Sequence, residues 1–276
     1  MSVSKRGTRK DILLEITLFI FIAFLMLPVF WLVLTSLKTE ADSLVIPPKI
    51  FILPTLENYI NVFNTEGQIL SLWNSLLIGL SSTFFCLLVG VPAAYSLARF
   101  SFRFKNSLGI WILITRMAPP VGMLIPFYIM FRYIGAIDTY SAMIIAHMAM
   151  NLPIVTWLLI GFFQNTPKEL EEAAYIDGCT SFGAFFRITL PLVANGVIAV
   201  GIIGFIFSWN ELMIASIITG AETRTAPSDI TDFLLYHEIQ YGNITAAAVA
   251  LSIPALALIG FAQKKLVVGL GFGSEK

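Results

Sequence analysis

Residues 164–191 read QNTPKELEEAAYIDGCTSFGAFFRITLP, and their setting decides the fold. Upstream, Thr139–Gln164 carries no charged side chain, and downstream Pro191–Ile218 carries only Glu211. A helix rises about 1.5 Å per residue and a hydrocarbon layer is about 30 Å thick, so roughly 20 apolar residues cross it. Both flanks are long enough, and the charged stretch between them reads as a loop joining two membrane spans.

Working outward, four more runs meet the same test: Ile16–Leu37, Ser71–Ala98, Asn106–Tyr133 and Thr245–Gln263. The third of the six spans in chain order, Asn106–Tyr133, is interrupted by Arg116 and Pro119-Pro120. Composition agrees with an all-α membrane protein. Hydrophobic residues make up 57% and charged residues 12%, with a mean hydropathy of +0.84. Soluble domains carry about 25% charged residues. The 17 basic and 17 acidic side chains cancel, so no basic patch points to nucleic acid. Cys86 and Cys179 form no disulfide framework and read as unpaired thiols. The first run is longer than a signal-peptide core of about 7–15 residues and is expected to stay as an anchor.

Lysine and arginine set the orientation. With the N-terminus cytoplasmic, the inner segments hold twelve: Lys5, Arg6, Arg9, Lys10, Arg99, Arg103, Lys105, Lys168, Arg187, Lys264, Lys265 and Lys276. The outer segments hold four: Lys38, Lys49, Arg132 and Arg224. Both termini and the 164–191 loop are therefore expected in the cytoplasm. The expected layout is a cytoplasmic 1–11, a first span 12–37, an external loop 38–70, a five-helix core 71–263 and a cytoplasmic tail 264–276.

Helix chemistry predicts two short helices in the loop. Thr166, Pro167 and Glu169 fit an N-cap, a first helical position and a capping box. Glu169, Glu171 and Glu172 suit the positive end of the helix dipole. Leu170, Ala173 and Ala174 form an apolar stripe of little bulk at i, i+3, i+4 spacing. Gly178 fits the left-handed position that ends a helix. A second helix starting at Thr180 or Ser181 carries Phe182, Phe185 and Phe186, and Pro191 opens the fifth span.

Glu172-Ala173-Ala174, then Gly178, Ile188 and Leu190-Pro191, placed between two spans, resembles the coupling loop of permease subunits of binding-protein-dependent ABC importers. Trp209-Asn210-Glu211, the segment Gln263-Lys264-Lys265-Leu266-Val267-Val268-Gly269-Leu270, Pro28-Val29-Phe30-Trp31, Ser36-Leu37-Lys38 and Glu57-Asn58-Tyr59 are similar to the maltose-type sugar subgroup. The resemblance implies the type I importer permease fold with six transmembrane helices and a cytoplasmic coupling helix. It also implies an ATPase-docking surface built from Leu170, Glu172, Ala173, Ala174, Asp177, Gly178, Phe182 and Phe185. The implied partners are a second permease subunit in a heterodimer, two ATP-binding subunits and an extracytoplasmic solute-binding protein, in a bacterial or archaeal plasma membrane. A loop between spans five and six that meets the binding protein would use Glu222, Arg224 and Asp229, with Asp232 and Glu238 beside them. The chain departs from the subgroup in its ending, Gly271-Phe272-Gly273-Ser274-Glu275-Lys276, so a tail contact with the ATPase is not carried over.

The sequence has no Gly-x-x-x-x-Gly-Lys-Ser/Thr phosphate loop, so ATP hydrolysis is expected from another polypeptide. His237-Glu238-Ile239-Gln240-Tyr241 lacks the second histidine of a zinc protease, and no Gly-x-Ser-x-Gly elbow occurs. No catalytic residue, metal site or cofactor is expected. Polar groups inside spans face the bundle or a water-filled path. Arg116, Asn151, Trp209, Asn210 and Glu211 are the pathway candidates, with Arg116 and Asn151 beside prolines that mark broken helices. Trp209 adds a flat aromatic face suited to a sugar ring. The alternative reading of Arg116 and Glu211 is that they tie helices together. A sugar, an oligosaccharide, a polyol or a glycerol phosphate fits as solute. An ATP-independent secondary transporter is the remaining alternative.

Overall fold

The computed structural model describes residues 9–65, 67–117, 119–235 and 240–271, with side chains described for 12–65, 67–117, 119–231 and 240–260. The described elements are all helical: α1 (Arg9–Ser36), α2 (Glu40–Ser43), α3 (Glu57–Asn64), α4 (Gln68–Arg99), α5 (Lys105–Arg116), α6 (Pro120–Tyr133), α7 (Tyr140–Asn165), α8 (Glu169–Ile176), α9 (Ser181–Ala184), a π-helical turn (Phe185–Thr189), α10 (Leu190–Leu192), α11 (Ala194–Trp209), α12 (Ala215–Ile218), α13 (Ala226–Leu235) and α14 (Tyr241–Gly271). By length and composition, Ile12–Ser36, α4, α7 and Tyr241–Gly260 are each long and apolar enough to cross a membrane. Two bent pairs, α5 with α6 and Ser181–Leu192 with α11, bring the number to as many as six if each pair is one span. Cys86 and Cys179 are both free thiols.

The chain divides into two compact units. The described residues of Met1–Glu66 and Asp232–Ala250 form one. Here Asn58 donates to the carbonyls of Ser36 and Lys38 at 2.8 and 2.7 Å, and Tyr59 shares a hydrogen bond with Ser36 at 2.8 Å. These bonds fasten α3 to the end of α1. Lys38 is buried with its ammonium 4.4 Å from the Trp31 ring centre.

The other unit comprises the described residues of Gly67–Thr231 and Leu251–Lys276. α4 and α7 pack along their lengths, and α11 lies against both. Small residues allow this closeness, as in membrane bundles where packing rather than water drives association. A β-carbon at Gly79 on α4 would lie 2.9 Å from the Phe205 ring of α11, and one at Gly196 would overlap Phe162 of α7. Two apolar clusters occupy opposite stretches of α4. One joins Cys86, Tyr95, Leu159, Phe163, Phe185 and Val200; the other joins Ile78, Phe131, Met143, Ile214 and Ile218.

Three expectations need correction. α7 runs unbroken through Pro153, so Asn151 marks no break. Proline removes one helix hydrogen bond, and packing of α4 and α11 on α7 holds the helix through that loss. The fifth span is not continuous to Ile218: it bends by 72° at Val193 and stops at Trp209, before the short α12. Thr166 does not cap α8. It closes α7, donating its hydroxyl to the Phe162 carbonyl at 3.1 Å, while Lys168 occupies the cap position of α8 with no side-chain bond. Pro167 accounts for this, because the residue before a proline is pushed into extended backbone, and Thr166 sits at φ −83°, ψ 130°. The break at Pro119-Pro120 is as expected, with α5 ending at Arg116 and α6 opening on Pro120.

Candidate docking hairpin and polar pathway

α8 ends in a complete Schellman motif. Gly178 is left-handed at φ +85°, its N–H bonds the Tyr175 carbonyl at 3.1 Å, and the Cys179 N–H reaches the Ala174 carbonyl at 2.9 Å. Thr180 then caps α9, accepting from the Gly183 N–H at 3.1 Å. The result is a helix–turn–helix hairpin, as the residues predict.

Its two faces divide the docking candidates. Leu170, Glu172, Ala173, Asp177 and Gly178 are exposed, Ile176 is 87% exposed and Phe182 76%. Ala174 and Phe185 are buried in the chain's own core instead, so the stripe of Leu170, Ala173 and Ala174 is split. Phe185 packs at a tilt against Tyr95 and Phe163, with ring centres 4.6 and 6.4 Å away. The free face is therefore Leu170, Ala173, Ile176 and Phe182, with Ala174 and Phe185 supporting it from beneath. Sequence reasoning missed Glu171, which turns inward. Its Oε1 accepts from Arg99 Nε at 2.7 Å and its Oε2 from the Tyr95 hydroxyl at 3.0 Å.

The pathway candidates separate in the same way. Arg116 lies with its guanidinium 5.0 Å from the Phe207 ring centre. Asn151 is buried on α7. Trp209 is buried, donates Nε1 to the Leu251 carbonyl at 3.1 Å and stacks on Phe205 at 5.5 Å, so it offers no open aromatic face. Asn210 is exposed at the end of α11 and donates to the Ile206 carbonyl at 2.9 Å.

Glu211 caps the turn that follows the break in the span. Its carboxylate accepts from the Ile214 N–H at 2.9 and 3.1 Å and from the Ala215 N–H at 3.1 Å. The free N–H groups that open a new helical turn are thereby satisfied. Behind it, His147 Nε2 stands 3.7 Å from Glu211 Oε2, and His147 Nδ1 meets the Ser208 hydroxyl at 2.5 Å. Ser208 meets Ser82 at 3.0 Å, so polar groups link α4, α7 and α11 in an apolar setting. Glu211 stands beside this link, with its own hydrogen bonds going to Ile214 and Ala215.

The loop after α12 is built rather than loose. Asp138, left-handed at φ 58°, accepts from the N–H groups of Gly220, Glu222 and Thr223 and from the Thr223 hydroxyl, at 2.8, 3.2, 2.9 and 2.7 Å. Burial alone would raise its carboxyl. The Thr223 hydroxyl and the three N–H groups outweigh that and hold the group below its ordinary value of 3.8. Asn74 grips the other side, donating to the carbonyls of Glu222 and Arg224 at 3.0 Å each and accepting from the Tyr140 hydroxyl at 2.6 Å. Arg224 and Asp229 pair at 3.6 Å, and Ser71 donates to Asp229 at 2.9 Å. Glu222 is exposed. The side chain of Asp232, together with His237 and Glu238, lies outside the described residues.

No cluster of histidine, cysteine and acidic side chains among the described residues has metal-binding geometry.

Residues 87–268 match the family described as "Binding-protein-dependent transport system inner membrane component". The sulfoquinovosyl glycerol transport system permease protein SmoH of Agrobacterium fabrum is 36% identical over 251 residues, 90% of this chain and 88% of that protein. The trehalose transport system permease protein SugB of Mycobacterium tuberculosis is 34% identical over 262 residues, 92% and 94% of the two chains. Among solved structures, a bacterial ABC transporter that imports the acidic polysaccharide alginate aligns with a TM-score of 0.72 at 20% identity, over 96% of this chain and 99% of that one.

Proposed function

Because the chain belongs to the family of binding-protein-dependent transport system inner membrane components, a multi-pass permease of an ABC importer, we propose that it carries a carbohydrate or related polyol across the membrane for partner ATPases. The permease subunit is not itself an enzyme, and the sequence holds no phosphate loop. In this reading a second, related permease completes the pathway in a heterodimer, two ATP-binding subunits supply the energy, and an extracytoplasmic solute-binding protein delivers the solute. Both termini and the α8 hairpin face the cytoplasm, where ATP is found, and the loop at 219–231 faces the binding protein.

The observation that carries the reading is the free face of the α8–α9 hairpin. Ile176 and Phe182 project large apolar surface from a short helix pair joined by its hydrogen-bonded cap and turn. Outside the apolar spans, such surface suits contact with a protein partner. Relatives named for a sulfoquinovosyl glycerol and for trehalose support the carbohydrate class. The test is cross-linking from Ile176→Cys with a bifunctional reagent that alkylates the thiol at one end and acylates a partner lysine at the other, in a background with Cys86 and Cys179 replaced by Ser, in membranes containing the whole importer. The expected product joins the permease to the ATP-binding subunit. A panel of sugars, polyols and glycerol phosphates in binding-protein affinity measurements then assigns the solute, and binding of glycerol phosphates alone would overturn the carbohydrate assignment.

A further inference from the structure

α8 has eight residues, fewer than the 12–15 or so that an isolated helix needs to persist in water. Only Glu171 and Ala174 of those eight are buried. The helix therefore holds its place through very few groups, and one of them is a carboxylate.

That carboxylate is held on both oxygens by α4. Arg99 and Tyr95, one turn apart near the end of α4, take Oε1 at 2.7 Å and Oε2 at 3.0 Å. The side chains of Arg99 and Glu171 are 5% and 7% exposed. Arg99 also uses a second nitrogen, Nη2, to bond the Thr166 carbonyl at the end of α7 at 3.0 Å. One planar guanidinium thus fixes the end of α7 and the body of α8 at once, which the single point charge of a lysine cannot reproduce. The Tyr95 ring packs against Phe163 of α7 and Phe185 of the π-helical turn, at 5.6 and 4.6 Å. Adhesion alone does not call for an ion pair here, because well-packed apolar side chains hold buried surfaces equally well. What the pair adds is direction.

We propose that Tyr95, Arg99 and Glu171 are positioning residues that transmit movement of the docking helix to the spans. The proposal rests on the docking assignment of α8. A partner that displaces α8 must either carry the ends of α4 and α7 with it or pull apart a buried, bidentate carboxylate. The first course couples ATP turnover to opening of the pathway. Weakening the cluster leaves the exposed face of α8 intact but lets it move without the spans.

The experiment uses the complete importer, reconstituted with its ATP-binding subunits and binding protein, and compares Glu171→Gln, Arg99→Lys and Tyr95→Phe with the unaltered permease. Two quantities are read: ATP-binding subunit retained per permease, and ATP hydrolysed per solute molecule moved. Retention is expected to stay unchanged while ATP consumed per solute rises several-fold in Glu171→Gln and Arg99→Lys, and in the same direction in Tyr95→Phe. Tyr95→Phe keeps the aromatic packing and removes only the hydroxyl, so its result stands if the charge variants fold poorly. A fall in uptake with an unchanged ratio per assembled complex would mean a scaffold only, and would overturn the proposal. If the unaltered permease retains no ATP-binding subunit, the docking assignment fails first. If retention is normal and the ratio is unchanged, only the transmission role fails.

Discussion

Thr223 bonds the same oxygen of Asp138 twice, through its N–H at 2.9 Å and its hydroxyl at 2.7 Å. With Gly220 and Glu222 on the same carboxylate, one side chain between α6 and α7 organises a loop more than eighty residues further along the chain.

Asp138→Ala should loosen that loop, because it strands N–H groups whose loss costs about 1–3 kcal/mol when buried. Asp138→Asn should do less damage to the backbone, since asparagine tolerates the left-handed region, but it replaces an acceptor oxygen with a donor. Hydrogen exchange of residues 219–225 in nanodiscs checks both, with faster exchange expected in each variant and the larger increase in Asp138→Ala.

The same contact predicts a pH dependence. Asp138 is depressed below 3.8 in the folded chain, so its stabilising effect is complete above that ordinary value and is lost as pH falls through the lower folded value. Exchange at 219–225 attributable to Asp138 should therefore be unaffected by titration from pH 8 down to about 5 and should rise only in strong acid. An increase centred near pH 6.5 would point to a histidine instead.

Gly178→Ala and Gly178→Leu test the hairpin turn. A β-carbon at Gly178 meets nothing within 4 Å, so the cost is backbone strain at φ +85° rather than a clash within the chain. About 1 kcal/mol or more is expected. Membrane insertion should be normal and retention of the ATP-binding subunit reduced, more so for leucine, whose bulk stands on the proposed docking face. Normal retention and normal uptake in both would count against docking there.

The two hairpin phenylalanines should behave oppositely. Phe182→Ala removes an exposed ring and should lower ATPase retention with little change in thermal stability. Phe185→Ala empties a core site and should cost about 3–5 kcal/mol, seen as a lower unfolding temperature.

Legibility in the sequence followed the range of the interactions. The hairpin could be read because capping and left-handed turns are local: Thr180, Gly178 and the Glu-rich first turn announce themselves within a few residues. The spans could be read because hydropathy is a local average. Thr166 misled because Pro167 and the guanidinium of Arg99 competed for its backbone, and Arg99 is 67 residues away. The break at Asn210–Met213 carries neither proline nor glycine, and the Glu211 carboxylate that folds back on Ile214 and Ala215 to cap the next turn has no local sequence signature. Trp209 has the residue type of a sugar platform, but the Leu251 carbonyl, distant in sequence, and the Phe205 ring occupy it. Asp138 and Asn74 were invisible as a pair, since their shared target is a loop distant from both in sequence.

Asn210 remains the exposed polar group of the pathway set at the end of α11. Asn210→Ala should weaken uptake several-fold, as expected for about 1 kcal/mol of lost hydrogen bonding, while leaving ATPase retention intact. Trp209→Phe should instead lower stability, because its indole N–H serves the Leu251 carbonyl. Solute-concentration dependence of uptake, set beside thermal unfolding of the same variants, separates the two effects.

The central claim is that this permease moves solute only when separate ATPases drive it. Its most direct test is uptake of radiolabelled solute into proteoliposomes containing this chain, its permease partner, the ATP-binding subunits and the solute-binding protein. Accumulation against a gradient is predicted with ATP inside and binding protein outside, and none with a non-hydrolysable analogue or with the permeases alone. Accumulation driven by an ion gradient in the absence of ATP would contradict it.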